Sequence, residues 1–155
     1  DGSKLLPRPI SICEIDKENG RLRMVYRVTG ENTGTEQFSK LTAGDTVPVI
    51  GPLGNGFPLE KAVGKKAFLM GGGIGVPPIL ELAKQMECDK KQIVVGYRDA
   101  QTFLKEEFEE YALKIKIMAT AITPHFGIIV CRADNEDISY RSQGLHRKKF
   151  NSNIT

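Results

Sequence analysis

The chain has 155 residues, 40% hydrophobic and 26% charged, an ordinary globular composition with length for one domain or two small ones. A net charge of +3 is too small to point to nucleic acid or a membrane surface, and no apolar run reaches the roughly 18–20 residues of a transmembrane helix. Cys13, Cys88 and Cys131 lie far apart, which gives no disulfide framework and no CxxC-type metal site and reads as reduced thiols in a cytoplasmic protein.

In chain order, the start at Asp1 rather than Met reads as a fragment or a processed chain. Pro7 to Ile15 (PRPISICEI) is a strand candidate, rich in β-branched residues, with two early prolines. Asp16 to Gly20 ends in Asn-Gly, a hairpin signal. Leu22 to Val28 alternates, with Leu22, Met24, Tyr26 and Val28 on one face. A loop, Gly30 to Gly34, leads to a short helix over Thr35 to Leu41 with Thr35 as its cap. Thr46 to Ile50 is a further strand, where Pro48 suggests an edge or a bulge. Gly51 to Phe57 (GPLGNGF) is turn chemistry throughout and marks the boundary between a β-rich first third and the α/β remainder.

Beyond the boundary the pattern becomes strand–helix–strand–helix. Ala67 to Met70 is a continuous apolar run, expected for a strand buried on both faces. Gly71, Gly72, Gly73 and Gly75 then lead into a helix that starts at Pro77 and Pro78, where missing N–H groups cost little. Ile79, Leu82, Ala83 and Met86 form its apolar stripe. A glycine turn opening a helix offers backbone N–H groups and the positive helix end to an anion such as a nucleotide pyrophosphate. Val76 stands where the usual dinucleotide fingerprint has Gly or Ala. Gln92 to Tyr97 is a second buried strand. Ala100 to Tyr111 is a helix with Leu104, Phe108 and Tyr111 on one side. This βαβα order predicts a parallel sheet with right-handed crossover. Leu113 to Ile122 and Ile128 to Cys131 are strand-like, and 134–155 has little periodicity and reads as an irregular tail.

Six stretches together resemble the electron-transfer subunits of NAD-dependent (class 1B) dihydroorotate dehydrogenase, within the ferredoxin–NADP reductase superfamily. They are LLPRPISICEID from Leu5, VYRV from Val25, GTEQFSKLTAGD from Gly34, GPLGNGF from Gly51, GGGIGVPP from Gly71 and GYR from Gly96, within Leu5 to Ala112. The resemblance implies a partial FAD-binding β-barrel over residues 1–57, an NAD-binding α/β domain with a parallel sheet over 58–133, truncated or aberrant after about 112, and the irregular tail.

It also implies site residues. Arg8, Pro9, Ile10 and Ser11 match the family's flavin motif, with Arg8 at the FAD pyrophosphate and Ser11 at the isoalloxazine edge. Val25, Tyr26 and Arg27 match the second flavin segment. Gly34 and Thr35 match a pair that binds the flavin phosphates. Gly71, Gly72, Gly73, Ile74 and Gly75 match the nicotinamide-nucleotide loop. Asp99 is a candidate for a ribose 2′-OH, or Arg98 for a 2′-phosphate. The implied partner is an FMN-bearing catalytic subunit in a hetero-oligomer, with electrons passing through an iron–sulfur centre to FAD and leaving as hydride to NAD⁺. No catalytic acid or base and no metal ligand is implied in this chain.

Read singly, each of these residues has a plainer use. Taken alone, Arg8 reads better as a solvated residue before an edge strand and Tyr26 as a hairpin core residue, and Thr35 reads as an N-cap. Three departures stand beside the resemblance. The family has further barrel strands before the RPIS motif. Val130 to Ala133 lacks the Gly-Pro of the family's later cysteine segment. The family's four-cysteine [2Fe–2S] cluster is absent. A ferredoxin:NAD(P) reductase or sulfide dehydrogenase-type subunit shares RPIS and the glycine loop. A non-enzymatic nucleotide-binding remnant is the reading from a different class.

Overall fold

The computed structural model describes residues 7–97, 102–111, 114–119, 129–133 and 136–140. β1 (Ile12–Asp16) and β2 (Arg21–Met24) form an antiparallel hairpin. The Asp16 carboxylate accepts the Asn19 N–H at 3.1 Å and the Asn19 amide at 2.8 Å, and Gly20 takes a φ of +63° that its missing Cβ allows. A bulge between Ile12 and Glu14 turns the extra residue, Cys13, into the core.

The hairpin is shorter than the apolar pattern predicts. Residues 25–28 do not continue β2, because pairing ends where Ile12 meets Met24 and the segment before it carries Pro7 and Pro9. Leu22 and Met24 are exposed, while the Arg23 side points to the rest of the molecule.

Helix α1 (Gly34–Ser39) begins one residue before the predicted start and is capped by Thr33 rather than Thr35. The Thr33 hydroxyl accepts the Glu36 N–H at 3.2 Å, and Glu36 reaches back to the Asn32 N–H at 2.6 Å. Thr33→Ala is expected to cost about 1 kcal/mol, the usual loss for an N-cap. Urea denaturation of the two proteins measures it. Thr46 to Ile50, read as a strand, lies in no β-ladder, and Val49 and Ile50 are exposed. No strand among the described residues runs beside it, and Pro48 has no N–H to donate.

The second part is a mixed five-stranded sheet of order β5-β4-β3-β6-β7. β3 (Lys66–Gly72), β4 (Lys90–Tyr97) and β5 (Lys114–Ala119) are parallel, as the βαβα pattern predicts. β6 (Ile129–Ala133) and β7 (Glu136–Tyr140) add an antiparallel side, with β6 against β3. β7 falls in the segment expected to be irregular. Its register with β6, Ile129 opposite Tyr140 through Ala133 opposite Glu136, supplies partners that sequence periodicity does not reveal. The remainder of that tail lies outside the described residues.

Helix α2 (Val76–Gln85) crosses from β3 to β4 and packs on both β1 and β3. α3 (Lys105–Glu109) is shorter than the predicted Ala100–Tyr111 helix. It starts after Leu104, whose φ of +63° breaks the helical path. β4 is buried continuously from Ile93 to Tyr97, as expected of a central strand. β3 instead alternates. Ala67, Leu69 and Gly71 are buried, while Phe68 and Met70 are only partly covered.

One core joins these elements: Leu69 and Ala67 of β3, Ile79, Leu80, Leu82 and Ala83 of α2, Ile93 and Val95 of β4, Phe108 of α3 and Cys13 of the hairpin. It therefore reaches across the boundary expected at Gly51 to Phe57.

Candidate functional site

The glycine turn lies after β3 at the carboxyl end of the parallel strands, where open α/β sheets place their ligands. Gly71 is buried, and a Cβ there would lie 2.8 Å from Ile79 Cγ1 and 2.9 Å from the Gly75 carbonyl oxygen. Its smallness lets strand, turn and helix meet. Gly71→Ala is expected to lower stability by about 1–3 kcal/mol, the range for overpacking. The shift in its urea midpoint measures the loss.

Gly72 and Gly73 do different work. A Cβ at either would meet nothing within 4 Å, and Gly73 holds a φ of +54°. The surface over them is open, and Gly96 of β4 stands level with Gly72. Ile74 is exposed and Gly75 is buried. Pro77 and Pro78 remove two helix N–H groups, and the Val76 N–H is bonded to the Gly73 carbonyl. Donors for an anion therefore come from the turn itself more than from the helix end. Behind the turn, Tyr97 at the end of β4 donates its hydroxyl to the Phe103 carbonyl at 2.6 Å, and burial pushes its pKa up to about 12. Arg98 and Asp99 lie outside the described residues.

A second cluster forms around the start of α1. Gly34 is buried against Arg8, and a Cβ on Gly34 would lie 3.3 Å from Arg8 Nη2 and 3.4 Å from Nε. Two segments far apart in sequence thus meet where the missing side chain leaves room for a guanidinium. The N–H groups of Gly34 and Thr35 occupy the first helical positions, ahead of the first intrahelical bond. A guanidinium beside helix-start N–H groups fits a phosphate or pyrophosphate.

The Thr35 hydroxyl faces inward. It accepts the Thr29 N–H at 3.1 Å and lies 3.2 Å from the Thr29 hydroxyl and 3.1 Å from the Thr33 hydroxyl. The Thr33 hydroxyl already donates to the Gly30 carbonyl at 2.8 Å, so its contact with Thr35 takes the Thr35 proton. What Thr35 has left for an anion is its backbone N–H. Tyr26 stacks edge-to-face on Phe38 of α1, with ring centroids 6.1 Å apart. Val25 is partly buried against the core, Ile10 is partly buried, and Pro9, Ser11 and Arg27 are exposed.

Over 111 residues the chain is 48% identical to the "Dihydroorotate dehydrogenase B (NAD(+)), electron transfer subunit" of Bacillus caldolyticus, a match covering 69% of the chain and 42% of the relative. The protein of the same name from Streptococcus mutans is 42% identical over 142 residues, covering 88% of the chain and 54% of the relative. The one from Enterococcus faecalis is 44% identical over 108 residues, covering 67% of the chain and 40% of the relative. The chain is a homologue of these electron-transfer subunits. It spans about half the length of the relatives it matches. No family model matches it. The Streptococcus mutans alignment covers more than Leu5 to Ala112, so likeness to the electron-transfer subunits does not stop at Ala112 as the motifs alone suggest.

The structure also brings together a set of charges that the motifs do not single out. Arg23 of β2 makes two hydrogen bonds to Glu107 of α3, at 2.7 and 2.8 Å, and a third to Glu14 of β1 at 3.1 Å. Glu14 in turn pairs with Lys84 of α2. The one sequence signal is the Arg side of the alternating hairpin strand, a pattern that ordinarily marks a solvated face. Hydrogen bonding to Lys84 lowers the Glu14 pKa, and hydrogen bonding to Arg23 lowers that of Glu107.

Carboxylates lowered on folding contribute stability above their unfolded pKa, about 4.3, and lose it as pH falls through the folded value. Stability is therefore expected to decline below about pH 4.3, less steeply in Glu107→Gln. Urea midpoints between neutral and acid pH measure both slopes. Among the described residues no group of three or more His, Cys, Asp or Glu is placed to hold a metal ion, and no helix is long and apolar enough to cross a membrane.

Proposed function

We propose that the chain is the flavin- and nicotinamide-binding part of a dihydroorotate dehydrogenase B electron-transfer subunit. In this reading it carries electrons from an FMN-bearing catalytic subunit to NAD⁺ in pyrimidine biosynthesis. Residues 1–57 are then part of an FAD-binding barrel and 58–133 the NAD-binding domain of a ferredoxin reductase-like protein. The observation that carries the reading is the approach of Arg8 to Gly34, which supports an anion cradle of flavin-phosphate chemistry in a chain 42–48% identical to such subunits.

FAD, when bound, supplies the centre that exchanges hydride with NAD. The residues bind and orient. Arg8 neutralises phosphate charge, the N–H groups of Gly34 and Thr35 complete the cradle, and Ser11 and Val25 to Arg27 flank the ring and its chain. Gly72 and Gly73 give an NAD pyrophosphate open backbone to lie on. No side chain is asked to transfer a proton, since the work is positioning. The chain has three cysteines, one short of the four thiolates of a [2Fe–2S] centre.

Combined with a catalytic subunit of this enzyme class and a source of the iron–sulfur centre, the chain is expected to support reduction of NAD⁺ by dihydroorotate. Turnover of ferredoxin with NADP⁺ instead would favour the sister reductases. A second reading, a nucleotide- or partner-binding module without flavin, is favoured by the 68%, 72% and 78% exposure of Val49, Ile50 and Leu53 on the flavin side. It predicts NAD binding by a colourless protein.

A further inference from the structure

The β1–β2 hairpin meets the sheet-and-helix part through a set of charged side chains as well as through the buried Cys13. Leu22 and Met24 are exposed, and Cys13 is the hairpin residue that enters the core among the described residues. Beside Cys13 runs a chain of four ionised groups on four elements. Lys84 of α2 pairs with Glu14 of β1, Glu14 with Arg23 of β2, and Arg23 with Glu107 of α3 through two parallel bonds. Glu81, one turn before Lys84, accepts the Ile15 N–H of β1 at 3.0 Å. The Lys84 ammonium also stands 5.5 Å from the Tyr111 ring centroid.

The placement of these groups matters. The hairpin continues directly from Arg8 to Ser11, the flavin-side segment. α2 begins at the glycine turn, the nicotinamide-side segment. Single exposed ion pairs contribute little, but a planar two-bond arginine–carboxylate contact fixes orientation as well as distance, and linked pairs on several elements restrain a rigid body.

We propose that Lys84, Glu14, Arg23 and Glu107 form an ionic latch of positioning residues. It seats the hairpin on α2 and α3 and so sets the separation of the flavin and nicotinamide half-sites. The two half-sites themselves rest on the flavoprotein reading above. The latch rests only on the contacts.

The test is hydrogen exchange on the full chain, wild type against Arg23→Ala, with Glu107→Gln as the milder variant. Amides of residues 12–24 are expected to exchange roughly tenfold faster in Arg23→Ala, while those of β3 and β4 keep their rates. An Arg23→Ala/Glu107→Ala double variant is expected to add little to the single one. In FAD-loaded protein, Arg23→Ala is also expected to slow flavin reduction by saturating NADH roughly tenfold, with FAD affinity unchanged.

Unchanged hairpin exchange overturns the latch, and so does an equal acceleration of hairpin and sheet, which is only global destabilisation. Faster hairpin exchange with unchanged reduction overturns the positioning role. A wild-type chain that takes up no FAD counts against the flavoprotein reading alone, while the exchange measurement still decides the latch.

Discussion

Arg8→Ala is expected to weaken FAD binding by about 1.5–3 kcal/mol, the range for a hydrogen bond to a charged group. That is roughly 10- to 150-fold in Kd. Arg8 packs over Gly34, with its Nη2 3.3 Å from the position of an absent Cβ. The alanine variant leaves the N–H groups of Gly34 and Thr35 in place, so binding is reduced and not abolished. Arg8→Lys keeps the charge but loses the planar fork, and its affinity is expected to fall between the two. Flavin fluorescence titration of the three proteins measures the series. Equal affinities would remove Arg8 from the site.

Phe108→Ala is expected to destabilise the chain by about 3–5 kcal/mol, the usual loss for a buried phenylalanine. Phe108 has no exposed surface and joins α3 to the core formed by β3, α2 and β4. A loss of this size is a large share of the roughly 5–15 kcal/mol that holds a domain together. α3 also carries Glu107, so the same substitution is expected to loosen the contact with Arg23. Urea denaturation reads the stability, and Phe108→Leu, which leaves a smaller cavity, is expected to lose less. An alanine variant as stable as wild type would mean that α3 is not held by this contact.

The α/β half is legible because its signals are local and agree with one another. An apolar run, four glycines, two prolines and a 3.6-residue stripe place β3, the turn and α2 within a residue or two of where they lie. The flavin side is less legible. Alternation over Leu22 to Val28 points to one continuous strand with two distinct faces. Pairing stops at Met24 and the inner face belongs to Arg23, because the partners that decide it, Glu14 and Glu107, come from elsewhere in the chain. At the start of α1, Thr33-Gly-Thr-Glu36 carries a capping-box spacing, which favours Thr33 over Thr35 as the cap. The closeness of Arg8 to Gly34 has no sequence signal of its own. Only the order of the family motifs places the two together.

The most direct test of the central claim is the visible absorption spectrum of the purified chain after incubation with FAD and desalting. Retention of a flavin band, bleached on addition of NADH, is the result predicted for a chain that binds flavin through Arg8 and the α1 start and presents it to a nicotinamide on the glycine turn. A colourless protein would contradict that account.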